Sequence, residues 1–458
     1  MVSYLKSKDI SAEIYNADIY QRSPLTGLPG RIVKACKARL LRRSWRHSFN
    51  VDFARAWPSY HAKVGDAQSD IWRSVGRALA TLHPGIIAIS SKVVDIPSTF
   101  MLAEIAKRTL PDTPVIVGGP SAITCAQHLM QNPAIDYLVL GEGEITMSEL
   151  AQAILSGTIT EQRAAILGLG YRNAHGDLVL NKPRPLVENL DQIPFPDRRA
   201  MFMVDHRGDK KYLLELADLL TSRGCPYPCT FCCAYKAWGT RKARFRSVAN
   251  IMDEITFLYR EYGQKAFIFW DDLFTSDRAR VVAICEEILR RQLDINWICL
   301  TRLNTIDEEL LEIMKSAGCR EVQIGIESGN DRILKFIQKG ISRKMIFDKV
   351  PILKKVGMPW RIFLIIGFPT ETREEISDTL KLIDEIRPTY VDLSLFCPYP
   401  GTELHNFLQE RNELGADFMK SDMWYPYHNY TGTMSDDSFQ TCAFAALKLA
   451  DDYSAAQS

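Results

Sequence analysis

The chain has 458 residues, 46% of them hydrophobic, and its 56 basic and 55 acidic side chains leave a formal charge of +1. That length supports two or three domains with full cores, and the near-neutral balance gives no electrostatic basis for a nucleic-acid or anionic membrane partner. No apolar run reaches the ~18 residues of a membrane span, and Met1-Val2-Ser3-Tyr4-Leu5-Lys6 lacks a signal-peptide layout, so the expected location is the cytoplasm.

Up to residue 157, strand-like apolar runs alternate with helix-length amphipathic segments. The runs are Ala12 to Ala17, Gly85 to Ser90, Pro114 to Val117 and Asp136 to Leu140; helices are expected near Ile71 to Leu82, Thr99 to Thr109, Ala122 to Met130 and Ile145 to Leu155. This predicts an α/β, doubly wound, Rossmann-like domain. Its strands end in small residues, Ser90-Ser91, Gly118-Gly119-Pro120 and Gly141-Glu142-Gly143-Glu144. Ligands of such sheets sit beyond the carboxyl ends of the strands, where glycine lets backbone approach a bulky group. Val2 to Lys8 reads as the end of a first helix and Ala12 to Ala17 as a second strand, so the central first strand is missing. Its absence exposes backbone on both neighbours, which predicts a true start upstream or a damaged domain. The insertion 20–70 carries Arg31, Lys34, Lys37, Arg39, Arg42, Arg43 and Arg46 among apolar residues at helical spacing, and is expected to be a solvated helical face.

Residues 158–212 read as a connector. A hairpin turns at Asn173-Ala174-His175-Gly176-Asp177, and Pro183, Pro185, Pro194 and Pro196 stiffen the stretch after it. From 213 to 413, strand then helix repeats six times. The strands are Leu213 to Leu220, Ala266 to Trp270, Asn296 to Leu300, Glu321 to Ile326, Arg361 to Ile366 and Tyr390 to Phe396. Right-handed crossovers in that order predict a partial (β/α)6 barrel with chemistry at the carboxyl ends of the strands. Residues 414–458 are expected to be a tail: Trp424 to Tyr430 caps the barrel mouth or packs at its edge, and Asp451 to Ser458 frays.

Directly after the first barrel strand comes Cys225-Pro226-Tyr227-Pro228-Cys229-Thr230-Phe231-Cys232-Cys233. Structural zinc needs four ligands in a closed tetrahedron, usually two separated pairs, whereas three clustered thiols leave a cubane iron-sulfur cluster with one unclaimed iron. The other cysteines, scattered and odd in total number, read as reduced core or helix residues.

CxxxCxxC with an aromatic before the third cysteine resembles the radical S-adenosylmethionine (SAM) superfamily. The resemblance implies that Cys225, Cys229 and Cys232 hold a 4Fe-4S cluster and that Phe231 lies against the cofactor; Cys233 departs from the pattern. The open iron chelates SAM, and reductive cleavage yields a 5'-deoxyadenosyl radical. By the same resemblance Asp271 and Asp272 help hold the amino group of SAM, Glu327 contacts its ribose or amino-acid portion, and the Gly367 turn passes close to adenine. Arg302 and Ser328 stand at the neighbouring strand ends.

The first 157 residues resemble the cobalamin-binding domain that precedes many radical SAM barrels. Ser90, Ser91, Gly118 and Gly119 occupy the places that flank the corrin's nucleotide tail, and Gly141 ends the next strand. The family's DxHxxG loop is absent, so a bound cobalamin would have no protein imidazole on its lower face; a degenerate domain without cofactor is the other reading. The expected function is that of a radical SAM enzyme, first a cobalamin-dependent methyltransferase acting on unactivated carbon, second a catalyst of another rearrangement or ring closure. A non-catalytic iron-sulfur protein that binds a partner is the third. The family implies flavodoxin or ferredoxin as electron donor. The substrate, whether lipid, natural-product intermediate, peptide or tetrapyrrole, is not legible.

Overall fold

The computed structural model describes residues 1–12, 65–198, 217–415 and 428–456. The chain divides into two compact units, one of residues 1–21, 58–210 and 233–239, the other of 22–57, 211–232 and 240–458.

In the first unit, β1 (Ile87–Ser90), β2 (Val115–Gly118) and β3 (Tyr137–Val139) are parallel neighbours, with Ser90 opposite Gly118 and Val117 opposite Leu138. Their carboxyl ends therefore share one edge. β4 (Leu169–Arg172) and β5 (Leu178–Leu180) form the expected hairpin, but they add to this sheet antiparallel and so belong to the domain, where a connector was expected. The helices are α1 (Val2–Lys6), α2 (Asp70–Leu82), α3 (Ile96–Thr109), α4 (Pro120–Thr124), α5 (Ala126–Leu129), α6 (Gly143–Leu155) and α7 (Ile159–Gln162). Pro97 stands in the first turn of α3, which suits its fixed φ. The single helix expected from Ala122 to Met130 breaks at Cys125, which leaves helical geometry at φ −128°. Leu5, Ile116, Val139, Met147, Leu150 and Leu169 form the core between α6 and the sheet, and Trp72 and Val75 of α2 pack with Ile105. The strand expected at Ala12 to Ala17, the insertion up to residue 64 and the end of the connector from 199 lie outside the described residues.

α8 (Ala234–Trp238) follows the cysteine loop and is counted with the first unit. The second unit is a six-stranded parallel sheet in the order β13-β12-β11-β10-β9-β6. The strands are β6 (Ala217–Leu219), β9 (Ala266–Phe269), β10 (Asn296–Thr301), β11 (Cys319–Glu327), β12 (Trp360–Ile366) and β13 (Tyr390–Leu395). Neighbours in space follow the sequence, as a partial barrel requires. The connecting helices are α9 (Val248–Tyr262), α10 (Arg278–Arg290), α11 (Glu308–Ser316), α12 (Asp331–Phe336), α13 (Arg343–Val356), α14 (Arg373–Ile386) and α15 (Glu403–Glu410). Most start at a side chain that accepts a hydrogen bond from the first turn, among them Ser247, Asp277, Asp307, Ser342, Thr372 and Thr402. Alternate strand residues such as Ile362, Leu364, Ile366, Val391 and Leu393 are fully buried toward these helices.

The tail is the main departure. α16 (Asp436–Ala456) runs through the expected tail and takes in Asp451 to Ala456, where fraying was expected; it buries Phe439, Ala443, Ala446, Leu447 and Ala450 in the same core as β12 and β13. Ser454 Oγ accepts from Val391 N at 3.0 Å and donates to Val391 O at 3.1 Å, so α16 satisfies backbone on the outer strand β13. Trp424 to Tyr427 lie outside the described residues; Tyr430 is buried against Phe396, with ring centroids 5.9 Å apart.

Candidate functional site

The cysteine loop is tied at its base. β7 (Ser222–Arg223) pairs antiparallel with β8 (Arg244–Phe245), and Gly224 has φ +97° with the carbonyl oxygen of Lys242 only 2.6 Å from where a Cβ would sit. Only glycine fits there. At the other end Thr230 N donates to Ile337 O at 3.0 Å, and Thr230 O accepts from Leu404 N at 3.1 Å. Cys229 is buried, Cys225 and Cys232 are half-buried, and all three carry reduced thiols. Among the described residues no three His, Cys, Asp or Glu side chains gather on one point, so the structure brings the three cysteines onto one loop without closing a ligand sphere.

The donor set suits a cluster. Arg302, following β10, places Nη1 3.4 Å from Cys229 Sγ and lays its guanidinium over the Tyr227 ring at 3.8 Å. Tyr227 is held in turn by Asn304 Nδ2, 2.9 Å from its hydroxyl. Burial pushes the Cys225 thiol up, opposed by a backbone hydrogen bond at Tyr227; Asp272 and Cys229 add to the rise and Arg302 opposes it. A fixed positive charge beside thiols that carry negative charge when they bind metal offsets mutual repulsion. Phe231 meets Phe368 edge-on at 5.7 Å.

The two aspartates after β9 part company. Asp271 is fully buried: it accepts from Thr221 N at 2.6 Å, Ser222 N at 3.0 Å and the Thr221 hydroxyl, and Arg280 Nη2 lies 3.5 Å away. With both oxygens so engaged, it fastens the entry of the cysteine loop to the sheet and is not placed to take the amino group of SAM. Asp272 is exposed and close enough to raise the Cys225 thiol.

Glu327 ends β11 at φ +72°, a left-handed conformation costly for a side-chain residue. A register shift between Gly325 and Glu327 accompanies it. Its Oε1 lies 2.6 Å from Lys339 Nζ, both side chains being more than nine-tenths buried. Ser328 turns away: its hydroxyl lies 3.1 Å from Thr379 Oγ1 on α14, so it locks the strand end to that helix. Gly367 has φ +88°, and a Cβ there would lie 2.7 Å from Phe439 of α16. Its bare side is therefore filled by the carboxyl-terminal helix. The amides of Gly367 and Phe368 donate to Glu371 Oε2 at 2.6 and 3.1 Å.

In the first unit Ser91 is fully buried and stitched to the neighbouring strand end. Its N donates to Gly118 O at 2.9 Å, its carbonyl accepts from Ser121 N and Oγ, and its hydroxyl takes a hydrogen bond from Thr99. Gly119, at φ +91°, admits this approach, since a Cβ would lie 2.7 Å from Ser91 O. Ser90 is exposed at the strand tip, and Gly141, φ +75°, has open space beside it. These ends fit a bulky ligand at Ser90 and Gly141, while Ser91 and Gly119 build the edge.

Sequence profiles match both units: that of the Radical SAM superfamily over residues 219–383 and that of the B12 binding domain over 41–151. An uncharacterized methyltransferase of Pyrococcus horikoshii is 35% identical over 351 residues, 76% of this chain and 75% of its own length. The chain belongs to the radical SAM superfamily. An anaerobic magnesium-protoporphyrin IX monomethyl ester cyclase of Rubrivivax gelatinosus is 29% identical over 80% of the chain, which spans 65% of that relative. The solved radical SAM methyltransferase TsrM from Kitasatospora setae, with cobalamin and a 4Fe-4S cluster bound, superposes with a TM-score of 0.61 at 22% identity, covering 75% of this chain and 67% of that one. This radical SAM enzyme accordingly uses a 4Fe-4S cluster and SAM, with a cobalamin-binding domain before its barrel. Among the described residues no helix is long and apolar enough to cross a membrane.

Sequence reasoning misses Lys339, Gly325 and Arg280, and gives Glu371 no role. Of these only Glu371 has a signal, as the carboxylate closing the Gly-Phe-Pro-Thr-Glu turn.

Proposed function

We propose that this radical SAM enzyme transfers a methyl group, carried by cobalamin, to an unactivated carbon of its substrate. The observation that carries the reading is one chain holding both a three-thiol loop at the end of β6 and a strand edge of glycines and serines in a B12-type sheet. When bound, the cluster supplies one electron to the sulfonium of SAM, and the corrin supplies the methyl group. Cys225, Cys229 and Cys232 hold the cluster as thiolates, with Arg302 offsetting their charge at 3.4 Å from Cys229. Phe231, packed on Phe368, excludes water from the side where a reactive carbon radical must survive. Glu327 and Asp272 offer carboxylate oxygens to the ribose and amino groups of SAM, and the turn at Gly367 borders the adenine. Ser90, Gly118, Gly119 and Gly141 form the ledge for the corrin's nucleotide tail. A flavodoxin or ferredoxin in a reducing cytoplasm is the electron source.

Ring closure is the second reading, favoured by the 29% identical cyclase. Anaerobic protein reconstituted with iron, sulfide and cobalamin, then reduced with SAM labelled in its methyl group, separates the two. Label recovered with the protein-bound corrin is expected. 5'-Deoxyadenosine release with no label on the corrin overturns methyl transfer in favour of ring closure.

A further inference from the structure

We propose that Lys339 is a positioning residue for SAM, acting through Glu327. The inference rests on the reading that Glu327 contacts the nucleotide. Glu327 sits where a non-glycine residue is disfavoured, and the register shift beside it turns its carboxylate out of the regular strand pattern. Such a conformation persists only where the surroundings over-determine it. The ammonium of Lys339, 2.6 Å from Glu327 Oε1, is the restraint.

Gly325 shows that the sheet is built around this pair. A Cβ at that position would collide with Glu327 Oε1 and lie 2.8 Å from Lys339 Nζ. Any larger residue there displaces the ion pair. The ammonium engages Oε1, which leaves Oε2 as an acceptor for hydroxyl groups. The Lys339 carbonyl accepts from Arg302, whose other amino group reaches Cys229 Sγ, and Lys339 Nζ lies 6.0 Å from the centre of the Phe231 ring. One residue thus sets Glu327 and anchors the arginine that touches the cysteine loop.

Equilibrium binding of SAM to the anaerobic holoenzyme, alongside iron and sulfide content, tests this without turnover. Lys339→Met keeps the apolar stem and removes the charge. It is expected to retain a full cluster while weakening SAM about tenfold or more, because the carboxylate beside it is left buried and uncompensated. Glu327→Gln in the Lys339→Met background is expected to bind SAM better than Lys339→Met alone, and Lys339→Arg should keep most of the affinity. Wild-type affinity in Lys339→Met overturns the proposal, as does loss of cluster in both Met and Arg variants, which would make Lys339 purely structural. If Glu327→Gln alone binds SAM as wild type does, the parent assignment of Glu327 fails, whatever Lys339 does.

Discussion

Among the described residues, Glu371 is the buried acid whose environment is most at odds with its charge. Burial pushes its carboxyl up to about 8, against the pull of the Gly367 and Phe368 amides; Glu375 raises it further and Arg332 opposes. Its Oε1 is buried without a hydrogen-bond partner. Between the ordinary glutamate range and about pH 8 the folded chain keeps a proton that the unfolded chain has released. The stabilisation is complete below the unfolded pKa and is lost as pH rises through the folded one. Urea unfolding is therefore expected to show stability falling with pH over that window, by at most about 1.4 kcal/mol per unit from this group. Glu371→Gln should remove that component of the slope; equal slopes in both proteins would contradict it. Residues of this kind mark the limit of what the sequence tells. The three cysteines are legible because their spacing is local and their chemistry is narrow. Asp271 is not, since its partners Thr221 and Ser222 reach it only through the pairing of β6 with β9. Lys339 stands in Ile337-Gln338-Lys339-Gly340 with no periodic signal, and only the register shift in β11 gives it a partner.

Elements are legible where pattern and caps agree. β9 to β13 fall within a few residues of their expected bounds, and α9 to α11 and α13 to α15 are the six helices expected between and after the strands, because each apolar strand is followed by a capped amphipathic helix; the short α12 was not expected. The carboxyl-terminal helix is not among the expected elements, which give residues 414–458 as a tail, although Phe439, Ala443, Ala446, Leu447 and Ala450 have helical spacing. Its docking makes Gly367 a packing residue. Gly367→Ala would force a side chain into a left-handed conformation and against Phe439, so a loss of about 2–4 kcal/mol is expected in denaturant unfolding. Phe439→Leu in the same chain should recover part of it. A change within about 0.5 kcal/mol for Gly367→Ala, the range of a neutral surface substitution, would refute this packing.

At the scale of the whole molecule, the order of domains followed from alternating strand and helix patterns, and the chemistry from a single loop. The hairpin was misplaced because a local turn signal fixes a pair of strands but not the sheet they join; Tyr137 opposite Tyr171 decides that. The central claim is that three loop thiols hold a cluster with one iron open to SAM. Its most direct test is 5'-deoxyadenosine, measured by chromatography after anaerobic reconstitution and reduction with SAM, in wild type and Cys229→Ala. Wild type is expected to release it, and the variant to lose both cluster and product. A wild-type protein that carries mononuclear zinc and releases none, or a Cys229→Ala variant with an undiminished cluster, would contradict the account.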